Sequence, residues 1–511
     1  MKKMECFHFI FWGHIKKKYM RSYLKNSQIF LFTLLTGIFF ISCSEDTVEV
    51  EKATASATTP PVTAAYEVEN FIYRGMSDVY LYKNDVAVLK ENYFASQAEK
   101  NNYFSTISSP EALFKKFMSS QDRFSYLIEN YKEMDKMYSG TTSTTGMEFG
   151  LVNYCSGCSE VLGYVRNVLP DSNADENGVK RGMIFNRIGG QQLTTSNYSS
   201  LLAGTTYTIG LAKIEDNSVS NLPQEITLSK RNHTSNPVVI SKTLDIDGTK
   251  VGYLYYNSFD ADFDEELNAA FGDFKGNGIT DLVLDLRYNG GGSVRTATDL
   301  ASMITGQFSG KVFMKEKWNE KYQAYYEQQD PQSLLNNFNK SLRTGTAINS
   351  LNLNRVFVLT TRASASASEL IINGLDPYIN VIHIGDVTTG KFQASVTLYD
   401  SPNFSEESAA LKTSHTYAMQ PLVLKSLNAN DVTDYVNGLN PDLVQREDIT
   451  KLGTLGDVNE PLLKTAIDFI KGNRVSIKDV KTYTPVGDNA MFEPNYQAMY
   501  LDDLSLPVLD E

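Results

Sequence analysis

Apolar positions along the chain follow two different spacings, and the alternation between them outlines the fold. Unbroken apolar runs at 251–256, 282–286, 356–359 and 381–384 have the length and composition of buried strands. Between and after them, helical spacing appears at 265–274, 294–304, 368–375 and about 460–470. Strands and helices taking turns predict an α/β domain with a largely parallel sheet over 236–475. Upstream, Val68, Phe71, Ile72, Met76 and Val79 recur at helical spacing, and Ser109-Pro110-Glu111 opens a helix whose face includes Leu113, Phe114 and Phe117. These stripes predict a helical domain over 66–140. Residues 145–230 divide into short strands and turns, clearest at 163–168 and 182–188, which predicts a β-rich domain. The chain is therefore expected to be a multi-domain α/β protein. Residues 476–511, acidic and rich in Tyr and Pro, receive no role beyond the option of covering a cleft.

Two segments of the α/β domain carry the candidate chemistry. In the first, the strand at 356–359 runs through a sharp turn into Ala363-Ser364-Ala365-Ser366-Ala367-Ser368-Glu369, placing Ser366 at a helix N-terminus. Unpaired N–H groups there can stabilise an oxyanion, and small side chains let a substrate backbone approach. The next strand ends at Gly385, and the loop after it carries Lys391, 25 positions beyond Ser366 and at the strand ends where α/β active sites collect. Ser366 and Lys391 are thus a candidate nucleophile and base. In the second segment, Asp281-Leu-Val-Leu-Asp-Leu-Arg-Tyr-Asn-Gly-Gly-Gly292 is a strand running into glycines ahead of a helix, a unit that can hold anionic oxygen. A phosphate-binding loop is the rival reading, but neither Gly-x-x-x-x-Gly-Lys-Ser/Thr nor Gly-x-Gly-x-x-Gly is present. A histidine base remains an alternative, with His415 the least excluded; His383 reads as a hydrogen-bonded core residue and His233 lies in a polar linker.

A lysine base must be neutral, although its ordinary pKa is about 10.4. Burial has to lower that by roughly three pH units, about 4 kcal/mol of differential solvation. Val387, Phe392 and Val396 are placed to exclude water, whereas Asp386 is expected to oppose the shift.

At 511 residues with 42% hydrophobic content, the chain can bury more than one core. The net charge is −13, and without residues 1–42, which hold seven Lys/Arg and one Glu, it becomes 40 − 59 = −19. That surface argues against nucleic-acid partners and basic-patch membrane binding. No metal-ligand cluster or cofactor motif stands out, so no cofactor is expected. Cys155-Ser-Gly-Cys158 is too small for a structural zinc site, and in an exported setting it predicts a local disulfide.

The N-terminus reads as a targeting segment. Lys16-Lys17-Lys18, Arg21 and Lys25 precede an apolar run at 29–41 that Ser42-Cys43 closes. This resembles a bacterial lipoprotein cleavage site, which implies a signal peptide over 1–42 and lipid attachment at Cys43, with an uncleaved membrane helix as the alternative. The run Ser44-Glu45-Asp46 resembles the surface-export signal of Bacteroidetes lipoproteins. Residues 43–65 then form the lipidated cysteine and a flexible tether rich in Thr, Ala and Pro.

The serine run, the lysine 25 positions on and the Asp-Leu-Arg-x-Asn-x-Gly-Gly match at 285–292 together resemble the carboxyl-terminal processing, or tail-specific, serine peptidases. The resemblance implies a ClpP/crotonase-like core, Ser366 as nucleophile and Lys391 as general base. It also implies Ala367 as one oxyanion donor, Gly291 or its neighbour Gly292 as the second, and structural roles for Ser364 and Ser368. The family's usual glutamine, four positions after the lysine, is replaced by Ser395, so Gln393 and Ser395 are the candidates to orient the base. Residues 66–140, with Asp122-Arg-Phe-Ser-Tyr126, resemble the N-terminal helical segment of Bacteroidetes members. The stretch Gly178-Val-Lys-Arg-Gly-Met-Ile-Phe-Asn-Arg-Ile-Gly-Gly-Gln191 resembles the PDZ signature of such peptidases, with Met183 in the usual acidic position. A PDZ-like domain implies capture of a peptide tail by strand addition, with Glu148-Phe149-Gly150-Leu151 as candidate carboxylate loop. The function implied is an acyl-enzyme endopeptidase acting near C-terminal tails of polypeptides, in a lipoprotein of the outer membrane facing the periplasm or the cell surface. The alternative is a catalytically impaired peptide-binding lipoprotein that keeps the fold.

Overall fold

In a computed structural model, residues 66–511 are described apart from 139–140, 156, 217, 476–479, 493–495, 503–505, 508 and 510–511. The signal segment, Cys43 and the tether lie outside the described residues. Six strands, in the order Val238–Ile246, Thr249–Tyr256, Asp281–Asp285, Arg355–Thr360, Asn380–Gly385 and Leu443–Val444, form the central sheet. The first pair is antiparallel and the other four pairs are parallel. Alternate side chains serve two cores. Leu254, Tyr256, Leu282, Leu284, Val356 and Val358 face the helices Asp264–Asn277, Val294–Thr305 and Ala367–Leu375. Tyr253, Tyr255, Val283, Phe357 and Leu359 face the helix Pro461–Ile470. Burial on both faces is the reason these strands read as continuous apolar runs in the sequence.

The parallel register sets the chemistry. Tyr255 pairs with Asp285, Asp285 with Leu359, and Leu359 with Ile384. Three strands therefore end together, and the glycine loop, the serine turn and the lysine loop leave the same edge of the sheet.

A second, mixed sheet was not anticipated by the sequence pattern, because four of its six strands are only two or three residues long. Its order is Gly292–Ser293, Met499–Tyr500, Gln393–Ser395, Leu422–Leu427, Val312–Trp318 and Leu335–Asn337. The N-terminal helices form where the periodicity places them. Glu67–Asp78 buries Phe71, Ile72 and Met76, and Pro110–Phe117 starts from Ser109, whose hydroxyl accepts the Ala112 N–H at 3.2 Å. Both helices share one continuous apolar cluster with the central sheet rather than closing a core of their own.

The β-rich part has its own core, built on Met147–Asn153, Val161–Val168, Ile184–Ile188, Thr206–Glu215 and Ser218–Ser229. Cys155 and Cys158 are disulfide-bonded in the hairpin between its first two strands, with Cα atoms 5.6 Å apart. Glu148-Phe149-Gly150-Leu151 is not a loop: it lies within the strand Met147–Asn153. The outer edge of that strand is paired with Thr484–Asp488, so the C-terminal region is part of two sheets. Among the described residues no helix is long and apolar enough to cross a membrane.

Candidate active site

Ser366 caps the helix Ala367–Leu375 with φ 65° and ψ −117°. Positive φ is strained for a residue with a Cβ, and such strain persists only where surroundings fix it. Here the neighbours in the serine run do so. Ser364 Oγ donates to the Leu286 carbonyl at 2.7 Å, and Ser368 Oγ donates to the Asn289 carbonyl at 3.0 Å. Two small hydroxyls thus tie the serine turn to the glycine loop. Ala367 N–H, in the first turn of the helix, belongs to the group that an α-helix leaves without an internal acceptor. The Ser366 hydroxyl is buried and has no hydrogen-bond partner of good geometry.

The glycine loop packs against that hydroxyl. A Cβ on Gly291 would stand 2.6 Å from Ser366 Cβ and 2.7 Å from its Oγ, so only glycine fits. Gly291 and Gly292 have φ of 113° and 137°, a region open to glycine alone. Gly291, expected as the second oxyanion donor, instead gives its N–H to Asn289 Oδ1 at 2.8 Å, because Asn289 folds back over the turn. Gly292, the other candidate, pairs with Met499 in the second sheet and packs on the Phe259 backbone.

Lys391 is buried, and its pKa falls from an ordinary 10.5 to about 7. Desolvation is the main cause, opposed by the charges of Asp122 and Glu369. Asp386 plays no such part, since it pairs with Arg362 at 3.4 Å and Arg446 at 3.3 Å. Water is excluded by a residue that the sequence did not single out: the Phe124 ring, with Nζ 5.1 Å from its centroid. Phe124 is held there by its neighbours in the Asp122-Arg-Phe-Ser-Tyr126 run. Asp122 accepts the Phe124 and Ser125 N–H groups, both at 2.9 Å, and Arg123 donates to the Gly390 carbonyl at 2.9 Å.

Lys391 Nζ donates to the Gln497 carbonyl at 2.7 Å, and no hydrogen bond joins it to Ser366. Neither candidate for orienting it does so. Gln393 donates to Tyr82 Oη at 2.6 Å, and Ser395 Oγ bonds Gln420 Oε1 at 3.0 Å and the Met499 carbonyl at 3.1 Å. Among the described residues Ser366 has no histidine partner either: His383 is bonded to Thr360 Oγ1 at 2.6 Å and His415 to Asp400 Oδ2 at 3.2 Å.

Glu369 is the residue whose role the sequence left unread. One carboxylate oxygen accepts the Ser366 and Lys391 N–H groups, both at 2.8 Å, and the other accepts the Gly390 N–H at 2.7 Å and the Thr388 hydroxyl at 2.5 Å. It fastens the nucleophile's backbone to the base's backbone. Its position three residues after Ser366 is a helix-capping signal, which hid the second half of its role. All four partners are donors, two on each oxygen, so an amide cannot replace the carboxylate without turning its NH2 toward two of them. Glu369→Gln is expected to leave the chain folded and lower turnover by roughly 100-fold, about 3 kcal/mol for a disrupted buried hydrogen-bond set. Unchanged turnover in a steady-state assay would remove Glu369 from the site.

A family model for "Peptidase family S41" matches residues 250–421, and one for the "Peptidase S41 N-terminal domain" matches 67–126. Carboxyl-terminal-processing peptidase 1, chloroplastic, of Arabidopsis thaliana is 25% identical over 251 residues, 48% of this chain and 47% of that protein. The chain thus spans about half the length of the curated relative it matches. A crystal structure from Bacteroides fragilis assigned to the S41 proteases is 27% identical, with a TM-score of 0.61 and coverage of 79% of this chain and 97% of that one. The photosystem II D1 C-terminal processing protease is 18% identical at a TM-score of 0.47 over 79% of this chain and 97% of its own. The two matched segments contain the glycine loop, the serine turn, the lysine loop and the Asp122 to Tyr126 run that packs on them: this chain carries a peptidase family S41 domain and a peptidase S41 N-terminal domain.

Proposed function

We propose that this chain is a serine-type endopeptidase that cuts polypeptides near their C-terminal tails through a Ser366/Lys391 dyad. The observation that carries the reading is a buried lysine with its pKa near 7, tied through one carboxylate to the backbone of a strained, unpartnered serine. In acylation, Ser366 Oγ attacks the scissile carbonyl carbon and its proton passes to neutral Lys391. The oxyanion is held by the Ala367 N–H and by Gly292, with Gly291 joining if Asn289 releases it. The C–N bond then breaks as Lys391 returns the proton to the leaving amine. Water, deprotonated by the same lysine, attacks the acyl-enzyme and releases the second product with Ser366 restored. The likeness to the Arabidopsis carboxyl-terminal-processing peptidase supports the choice of C-terminal tails. The β-rich domain supports a PDZ-like way of presenting them, through an edge strand that accepts an added strand. Casein hydrolysis by the full chain, beside Ser366→Ala and Lys391→Ala, tests the dyad, and equal cleavage by all three would end it.

The same reading places the protein in the cell envelope as an outer-membrane lipoprotein anchored through Cys43, on the periplasmic or outer face. The sequence at 16–46 supports it. Cys43→Ser is expected to move the chain from the membrane pellet to the soluble fraction, and retention in the pellet would refute the anchor.

A further inference from the structure

The C-terminal region touches both peptide-accepting edges of the molecule. Residues Thr484–Asp488 lie antiparallel on Met147–Asn153, pairing Thr484 with Asn153, Pro485 with Val152, Gly487 with Leu151 and Asp488 with Gly150. An ion pair between Arg166 and Asp488 at 3.1 Å holds the end of this strand, and Asn489 Oδ1 accepts the Phe149 N–H at 2.8 Å. Residues Met499–Tyr500 then enter the second sheet between Gly292–Ser293 and Gln393–Ser395. They pair in parallel with both: Gly292 with Met499, Ser293 with Tyr500, and Ser395 with Tyr500.

The segment just before that insertion lies against the catalytic groups. The Gln497 carbonyl takes the Lys391 ammonium or amine hydrogen bond. The Ala498 carbonyl oxygen stands 2.7 Å from the point where a Gly291 Cβ would be, and Ser366 Oγ stands at the same distance from that point. A peptide carbonyl of the tail and the serine hydroxyl thus both border the same side of Gly291. Between the two anchor points a cavity of about 170 Å³ runs past Glu148, Arg166, Asn257 and Gly290. The tail itself, through Asp488, Asn489, Gln497 and Ala498, forms the other wall of this cavity.

We propose that the edge of Met147–Asn153 and the slot between Gly292–Ser293 and Gln393–Ser395 form one track for an extended polypeptide, which residues 484–488 and 497–500 of the chain itself occupy in the resting protein. The ligand class is an unstructured polypeptide recognised through its main chain. The occupant adds side-chain rules: a small residue at the Ala498 position, which is buried, followed by an apolar residue at the Met499 position, which is fully buried. Occupancy also explains the open dyad, since Lys391 is engaged by the tail rather than by Ser366. The proposal rests on the peptidase reading only in making the tail a competitor of substrate; the binding does not require catalysis.

The test uses the full chain in a Ser366→Ala background, so that binding is read without cleavage. The probe is a fluorescein-labelled peptide with the sequence of residues 484–502, followed by anisotropy. Two substitutions loosen the tail without touching its buried side chains. Gln497→Pro removes a φ of 55° that proline cannot adopt, and Asn489→Ala removes the bond to Phe149. The loosened chain is expected to bind the probe at least tenfold more tightly than the chain with its native tail, and equal affinity would overturn the proposal. If the loosened chain fails to fold, hydrogen exchange on the Ser366→Ala chain alone decides. Saturating peptide is expected to speed amide exchange at 484–488 and 497–500 at least tenfold, and unchanged exchange would overturn the proposal. With Ser366 intact, Gln497→Pro is expected to raise casein cleavage at least tenfold. Inert chains that nevertheless bind the probe as expected would sink the peptidase reading and leave the track standing.

Discussion

Replacing Lys391 by arginine is expected to lower kcat/KM by about 1,000-fold or more, because an arginine at that position keeps its proton at every accessible pH. Ser366→Ala is expected to cost at least as much, since the acyl-enzyme cannot form. For the native chain the sign of the pH dependence follows from the lysine. Only its neutral form accepts the serine proton, and its pKa is about 7, so kcat/KM should rise with pH through about 7 and level off above it. The same shift bears on stability. The unfolded chain holds the lysine proton up to its ordinary 10.5 and the folded chain only up to about 7, so between those values the unfolded state binds more protons and stability increases with pH. Below about 7 both states are protonated and the buried charge is an undiminished cost. Lys391→Met should therefore raise the melting temperature most on the acid side of neutrality while abolishing activity. A kcat/KM profile flat from about pH 5.5 to 8.5 would show that another group is the base.

Arg287→Met is expected to cost about 3–5 kcal/mol, the range for breaking a buried ion pair from one side. Arg287 is fully buried and makes bidentate contacts to two carboxylates: Asp285 at 2.8–2.9 Å and Glu460 at 2.7 and 2.9 Å, with Glu447 at 3.1 Å. Glu460 also caps the closing helix by accepting the Leu463 N–H at 2.9 Å. The arginine therefore fixes the start of the glycine loop to that helix. Without it three carboxylates share a dry core, where burial already pushes the Asp285 carboxyl up. The exposed pair Lys464–Asp468, at 2.8 Å, serves as control: Lys464→Met is expected to cost at most about 1 kcal/mol. Calorimetric unfolding of both variants decides, and similar losses from the two would mean that the buried network contributes nothing special.

Local signals in the sequence were strong wherever one segment alone determines the outcome. The apolar runs at 282–286, 356–359 and 381–384 become strands because both faces of the sheet are covered, and no polar alternation interrupts them. Ser109-Pro110-Glu111 starts a helix because a hydroxyl cap and a proline in the first turn need only their neighbours. His383 is buried on its strand and bonded to Thr360, in keeping with the core role its apolar surroundings suggested. The opposite outcome holds where several segments meet. Phe124, rather than the nearby Phe392, lies under the lysine, and Asp122 and Glu369, rather than Asp386, supply the opposing charge. Nearness along the chain was a poor guide because the lysine loop is enclosed by the N-terminal segment and the tail, both distant in sequence. The strands 292–293 and 499–500 were invisible for another reason: two residues carry no periodicity.

By itself the sequence determined the succession of strands and helices, the turn that places Ser366 at a helix start, and the glycine loop between a strand and a helix. These depend on spacing, capping and steric limits within one short segment. Only the tertiary structure decided that Glu369 joins serine to lysine, that Phe124 dries the base, that Asn289 takes the Gly291 N–H and that the C-terminal region lies across the site. Each of these is a contact across a parallel sheet or between remote segments. Desolvation, which turns an ordinary lysine into a candidate base, is the sum of such contacts and is a property of no single stretch of chain.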